Sequence, residues 1–73
     1  MALWRVIAAV REKDTDGDFY YATFKVNGIN QGTALDDWHN TYDSLLEVKI
    51  LNAVKPIHPT QESQWTYWPD GLK

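Results

Sequence analysis

The feature that most constrains this chain is a pair of alternating apolar segments, residues 4–10 and 19–26, joined by an acidic stretch. Successive side chains of a β-strand point to opposite faces of a sheet. One face then carries apolar residues from both segments: Trp4, Val6, Ala8, Val10, Tyr20, Ala22, Phe24 and Val26. The pattern predicts an antiparallel N-terminal hairpin over residues 3–27, with this face toward the core.

Two glycine-containing turns support the hairpin. Asp16-Gly17 and Asn27-Gly28 are strong local turn signals, because glycine accepts a positive φ without a Cβ clash. Residues 29–34 are compatible with a third strand that completes a meander. A lone hairpin is marginal in water, so this sheet requires a third strand or a covering helix.

A helical pattern follows the hairpin. Asp36 and Asp37 suit the N-terminus of a helix, where a carboxylate accepts backbone N–H groups and complements the helix dipole. Apolar residues then recur at helical spacing: Trp38, Tyr42, Leu45 and Leu46. The sequence predicts a helix over about residues 37–47.

The pattern changes to a strand-like period over residues 47–55. β-Branched residues and alternation favour a strand there over a continuation of the helix. Pro56 and Pro59 end this element, and residues 64–68 predict a last short strand. The predicted fold is α+β: one domain over residues 1–73, with an antiparallel sheet of three to five strands and one helix packed across one face.

Composition excludes several function classes. The chain has no cysteine, so disulfides and thiolate metal sites are excluded, and no run of 18 apolar residues suggests a membrane span. We expect a soluble cytoplasmic protein. The net charge is −3, and the residues after 28 hold three basic side chains against six acidic ones. This imbalance favours a partner protein with a basic surface over broad phosphate binding.

No motif in the chain indicates a catalytic activity. The acidic stretch fails the EF-hand pattern, because Phe19 and Lys25 occupy the positions of the required glycine and glutamate. His39 and Asp43 lie four apart on the predicted helix, but a metal site would need a third ligand such as His58. There is no nucleophile elbow and no glycine-rich phosphate loop. We expect no catalytic residue, no metal and no cofactor.

Two surfaces are candidates for binding. The first is acidic and aromatic, and its candidate protein-binding residues are Asp36, Asp37, Asp43, Glu47, Trp65 and Trp68. Trp65 and Trp68 either pack in the core or serve as interface anchors. The second surface is the mixed face of the hairpin, where cations and an aromatic ring suit nucleic acid. Its candidate residues are Arg5, Arg11, Tyr21 and Lys25.

Residues 24–28, Phe-Lys-Val-Asn-Gly, lie in the second strand of the predicted hairpin, and both strands precede the predicted helix. In this order of elements the chain loosely resembles the arm-type DNA-binding domains of phage integrases. In size and acidity it is similar to small phage accessory proteins that block a host protein, including anti-CRISPR inhibitors.

The leading hypothesis is a small non-enzymatic protein-binding module, a phage-type inhibitor that docks on a host protein. The alternative is a nucleic-acid-binding domain that uses the mixed face of the hairpin. A third hypothesis is a homo-oligomer that holds a small aromatic or nucleotide ligand between subunits.

Overall fold

A computed structural model describes residues 2–70 of the protein. The elements in chain order are β1 (Ala2–Glu12), β2 (Tyr20–Gly28), α1 (Gln31–Tyr42), β3 (Leu46–Pro56) and a 3₁₀ helix (Pro59–Gln64). The three strands form one antiparallel sheet in the order β2-β1-β3, and α1 packs on one face. The predicted α+β class is confirmed.

The N-terminal hairpin pairs β1 with β2 in a register that matches the alternating pattern. Val6 lies opposite Phe24, and Ala8 lies opposite Ala22. The connecting loop differs in one detail from the prediction. Asp14, with a φ of 65°, is the residue in the left-handed region, and Gly17 does not take a positive φ. Aspartate is one of the few residues with a side chain that tolerates this conformation.

The core lies between the sheet and α1. Its buried side chains are Val6, Ala8, Val10, Ala22, Phe24, Val26, Ala34, Trp38 and Leu46, with Trp4 and Tyr20 partly buried against them. The Phe24 ring is central, at 5.6 Å from the Trp38 ring and 4.7 Å from the Tyr42 ring. The predicted inward face of the hairpin is confirmed.

The helix begins six residues before the predicted start, so the prediction of a helix over about residues 37–47 has the wrong bounds. A capping box starts α1 at Asn30: its side chain accepts the Thr33 N–H at 3.0 Å, and the Thr33 hydroxyl accepts the Asn30 N–H at 3.0 Å. These bonds satisfy backbone donors that a helix N-terminus otherwise leaves unpaired. The possible third strand over residues 29–34 is therefore wrong, and Asp36 and Asp37 lie within the helix.

β3 confirms the preference for a strand over residues 47–55. It pairs with β1 and is interrupted by two bulges, one between the partners of Ile7 and Ala8 and one between the partners of Ala9 and Val10. The tail after β3 does not form the predicted strand over residues 64–68, since it turns through the 3₁₀ helix and then runs as irregular chain.

Candidate protein-binding surface

The tail of the chain wraps around the β2 edge of the sheet. The Trp68 N–H donates to the Thr23 carbonyl at 2.7 Å, and the Trp68 indole N–H donates to the Tyr20 hydroxyl at 3.3 Å. The Trp68 ring also lies 5.9 Å from Phe24 and 5.5 Å from Tyr42. These contacts join Trp68 to the edge of the core, where it is half-buried.

Trp65 lies on the opposite face of the sheet from α1. The Arg5 guanidinium sits over its ring at 4.2 Å, and the ring is half-buried. Such a stacked cation covers the ring face that an interface anchor would present. Both candidate tryptophans therefore contact the chain itself, and neither projects freely into solvent.

The cations of the mixed face also contact neighbouring side chains. Arg11 donates to the Glu47 carboxylate at 3.1 Å and lies over the Phe19 ring at 4.6 Å. Lys25 donates to the Glu62 carboxylate at 2.9 Å, and this hydrogen bond raises the pKa of Lys25.

Tyr21 stands on the same face as these cations and is 40% exposed. The structure thus brings Arg5, Arg11, Tyr21 and Lys25 to one face, as the hairpin pattern predicts. It also gives each of the three cations an aromatic or acidic partner within the chain.

The acidic residues predicted to bind a protein divide between two places. Asp36, Asp37 and Asp43 are exposed on α1 and just after its end, and residues 31–43 contain no lysine or arginine. The Asp37 carboxylate accepts the Asn27 N–H at 3.3 Å, which leaves Asp36 and Asp43 as the outward carboxylates. Glu47 lies instead at the start of β3, on the face that carries its ion-pair partner Arg11.

α1 lies mainly over β2 and covers only part of its face of the sheet. On β3 the register places Val48 opposite Val10 and Leu51 opposite Ala8, both core residues, so the side chains of Val48 and Leu51 share the face that α1 occupies. Val48 is nonetheless 42% exposed and Leu51 is 43% exposed. The helix leaves an uncovered apolar strip beside it.

We call Asp36, Asp43, Val48 and Leu51 the helix-side surface. It combines apolar side chains with carboxylates that make no ion pair within residues 2–70. Contiguous exposed apolar side chains are a feature of interaction sites, which is why we take Val48 and Leu51 as the centre of the candidate surface. Sequence reasoning found its two aspartates and missed Val48 and Leu51, because alternation alone does not say which strand lies at the edge.

The residues considered for metal binding do not converge. Residues 2–70 hold no group of three or more His, Asp or Glu side chains placed to bind an ion. His39 and Asp43 line a shallow depression at the end of α1, together with Asn40 and Ser44. His58 caps the 3₁₀ helix, where its Nδ1 accepts the Thr60 N–H at 3.3 Å.

Comparison of the chain with protein-family models, with curated proteins and with solved structures finds no match. Among the helices of the described residues, none is long and apolar enough to cross a membrane.

Proposed function

We propose that this protein is a non-enzymatic protein-binding module that docks through its helix-side surface on a partner with a basic surface. The observation that carries the proposal is the uncovered strip of Val48 and Leu51 on the α1 face of β3. Burying apolar surface stabilises a protein by about 25 cal/mol per Å². This small domain loses that stabilisation where Val48 and Leu51 stay exposed. A partner that covers the strip recovers that burial.

Charge specifies the chemistry of the partner. Asp36 on α1 and Asp43 just after its end are exposed, residues 31–43 contain no lysine or arginine, and α1 packs on the sheet face that also carries Val48 and Leu51. A complementary surface carries lysine or arginine around an apolar ridge, and such complementarity raises the association rate and selects partners. An inhibitor of the phage type that acts by covering a basic surface of a host protein needs no chemistry from this chain.

The nucleic-acid alternative has less support. Phosphate contacts require cations that are free to reach the backbone, whereas Arg11 and Lys25 form ion pairs and Arg5 stacks on Trp65. Fluorescence anisotropy with duplex and single-stranded oligonucleotides at about 50 mM salt tests the alternative. Salt-sensitive binding that is lost in Arg5→Ala would favour it over the protein-binding proposal.

Quantitative affinity capture from a lysate of host cells tests the proposal. The test variant, Asp36→Asn with Asp43→Asn, neutralises the two outward carboxylates of the helix-side surface at constant side-chain size. We expect the affinity for the partner to fall by roughly thirtyfold, since each of the two lost charge contacts costs on the order of 1 kcal/mol and about 1.4 kcal/mol is a factor of ten.

A matched control separates this surface from net charge. Asp16→Asn with Asp18→Asn makes the same change of charge in the exposed loop between β1 and β2, outside the helix-side surface. The control should capture the partner as well as the unmodified protein does. Equal capture by both variants and the unmodified protein would refute a role for the acidic helix.

A further inference from the structure

We infer that the free edge of β3 pairs antiparallel with β3 of a second copy of this chain, which joins two sheets into one of six strands. Within residues 2–70, no strand pairs with β3 on the side away from β1. An eleven-residue edge strand with unpaired backbone groups is a template for another strand. Ile50 at this edge is 48% exposed and lies on the face opposite to that of Leu51, so the edge presents apolar side chains on both faces of the sheet.

One register overlaps the whole strand. Two antiparallel copies of Leu46–Pro56 align along their full length when Leu51 faces Leu51 at the two-fold axis. In this register Glu47 of each copy faces Lys55 of the other, and Val48 faces Val54. The register with the most backbone pairing therefore also forms two pairs of opposite charges, one at each end of the interface. Cross-strand pairs of opposite charge stabilise a sheet.

The side-chain faces agree with this register. Glu47 and Lys55 lie opposite Arg11 and Arg5 of β1, which places both on the sheet face away from α1. The two bulges of β3 fall on either side of Leu51, at Lys49 and Asn52. In this register each bulge residue faces a regular residue of the other copy, Lys49 opposite Ala53 and Asn52 opposite Ile50. The pairs outside the bulges, Glu47 with Lys55, Val48 with Val54 and Leu51 with Leu51, each have their side chains on one face.

Lys55 has no acidic partner within residues 2–70 of its own chain, and a second copy can supply one. Lys55 lies opposite the like-charged Arg5 and makes no ion pair within the described residues. Like charges directly opposite on a sheet are destabilising. Arg11 contacts one carboxylate oxygen of Glu47, Oε2, and the Glu47 side chain remains 42% exposed. A second copy supplies the carboxylate that Lys55 lacks.

The dimer places both helices on the same face, because a two-fold axis normal to the sheet relates the copies. With strands about 4.8 Å apart, the two β2 strands lie roughly 24 Å apart. The space between the helices is then floored by Val48 and Leu51 of both copies and is wide enough for a partner helix of about 10 Å diameter. This inference concerns the edge of β3 and stands independently of the docking function proposed above.

Size-exclusion chromatography with light scattering, over a range of protein concentrations, tests the pairing. The unmodified protein should approach twice the 8.5 kDa mass of one chain as its concentration rises. Lys55→Glu places Glu47 opposite glutamate at both ends of the interface. We expect its dimer dissociation constant to rise by about tenfold or more. The change does not threaten the monomer, because glutamate at position 55 faces Arg5.

Complementation fixes the register. Glu47→Lys should also weaken the dimer, but an equimolar mixture of Glu47→Lys with Lys55→Glu should restore it, since both facing pairs then carry opposite charges. Lys49→Glu is the control, because position 49 faces Ala53 in this register and has no charged partner. Urea titration of each variant checks that it is folded. If Glu47→Lys unfolds on losing its contact with Arg11, the comparison of the single variants Lys55→Glu and Lys49→Glu still tests the register.

Two results would overturn the inference. The first is an unmodified protein that stays at the mass of one chain up to about 1 mM, the limit at which association is worth roughly 4 kcal/mol. The second is a dimer that Lys49→Glu weakens as much as Lys55→Glu does, which would place another register or another surface at the interface.

Discussion

Gly28 at the end of β2 is the position where the structure predicts the sharpest response to a single added methyl group. A Cβ built on Gly28 would lie 2.5 Å from the Ala34 nitrogen and 2.7 Å from the Ala34 Cα. Ordinary contacts at a Cβ begin near 3.4 Å. Because the obstructing atoms belong to the backbone of the first helical turns, no side-chain rotation relieves the clash, and α1 must move away from β2 by roughly 1 Å.

The cost follows from two opposing effects. Overpacking of this kind costs about 1–3 kcal/mol, and a rigid backbone obstacle favours the upper part of that range. Replacing glycine by alanine where the backbone permits it returns about 0.4–1 kcal/mol through the unfolded chain. We therefore expect Gly28→Ala to lower the free energy of unfolding by about 2 kcal/mol and the melting temperature by roughly 10 °C.

Urea titration followed by tryptophan fluorescence measures the effect, with Gly17→Ala as the control. A Cβ on Gly17 meets no atom within 4 Å, and Gly17 does not take a positive φ, so this variant should stay within about 0.5 kcal/mol of the unmodified protein. Adding Ala34→Gly to Gly28→Ala should not restore stability, because the two closest clashes are with backbone atoms. A Gly28→Ala protein as stable as the Gly17→Ala control would refute the close packing of α1 on β2.

Three further predictions concern the core, the helix start and the response to pH. Phe24→Ala should lower the free energy of unfolding by about 3–5 kcal/mol and largely abolish the folded circular dichroism signal, whereas Ile29→Ala, at a side chain that is 76% exposed, should lower it by about 0.5 kcal/mol or less. Equal losses in the two variants would contradict the placement of Phe24 in the core. Asn30→Ala should cost about 1 kcal/mol in urea titrations by removing the N-cap, and Asn30→Asp should restore most of it; an unchanged stability in Asn30→Ala would contradict the capping box. Burial, and then the nearby Asp37 carboxylate, raises the pKa of Tyr42, so the unfolded tyrosine loses its proton near pH 10 and the folded one only at higher pH. Stability should therefore fall as the pH rises above about 10, less steeply in Tyr42→Phe, and identical slopes in urea titrations at about pH 9 to 11 would contradict the burial of Tyr42.

Alternation predicted the hairpin correctly, because residues of β1 and β2 must separate by face whatever else the chain does. The core role of Phe24 and the inward direction of Val6 follow from that pattern alone. Sheet order does not follow from it. β1 lies at the centre and β3 at the edge, and this placement exposes Val48 and Leu51, whose apolar character by itself predicts burial.

The helix start shows a different limit. Gly32 and Thr33 are weak helix formers, so propensity favours no helix before Asp36. The capping box of Asn30 with Thr33 and the burial of Ala34 outweigh that propensity. The signal available in the sequence was the spacing of Ala34 and Trp38 by four residues, about one turn of a helix.

The candidate binding residues were placed by sequence reasoning only in part. Asp36, Asp37 and Asp43 belong to one exposed helix, as the amphipathic pattern indicates. Glu47 leaves this group because the strand begins at Leu46 and turns Glu47 toward Arg11 on the other face. Contacts of this kind depend on the path of the chain between elements, which local patterns do not specify.

The central claim, that the helix-side surface binds another protein, is tested most directly by residue-specific photocrosslinking. A benzophenone side chain replaces Val48, and the irradiated lysate is analysed for adducts heavier than two copies of the chain. We expect such an adduct from position 48, lost with Asp36→Asn and Asp43→Asn and retained with Asp16→Asn and Asp18→Asn. The absence of any adduct heavier than two copies, or an adduct that is equally abundant in both pairs of charge variants, would contradict the claim.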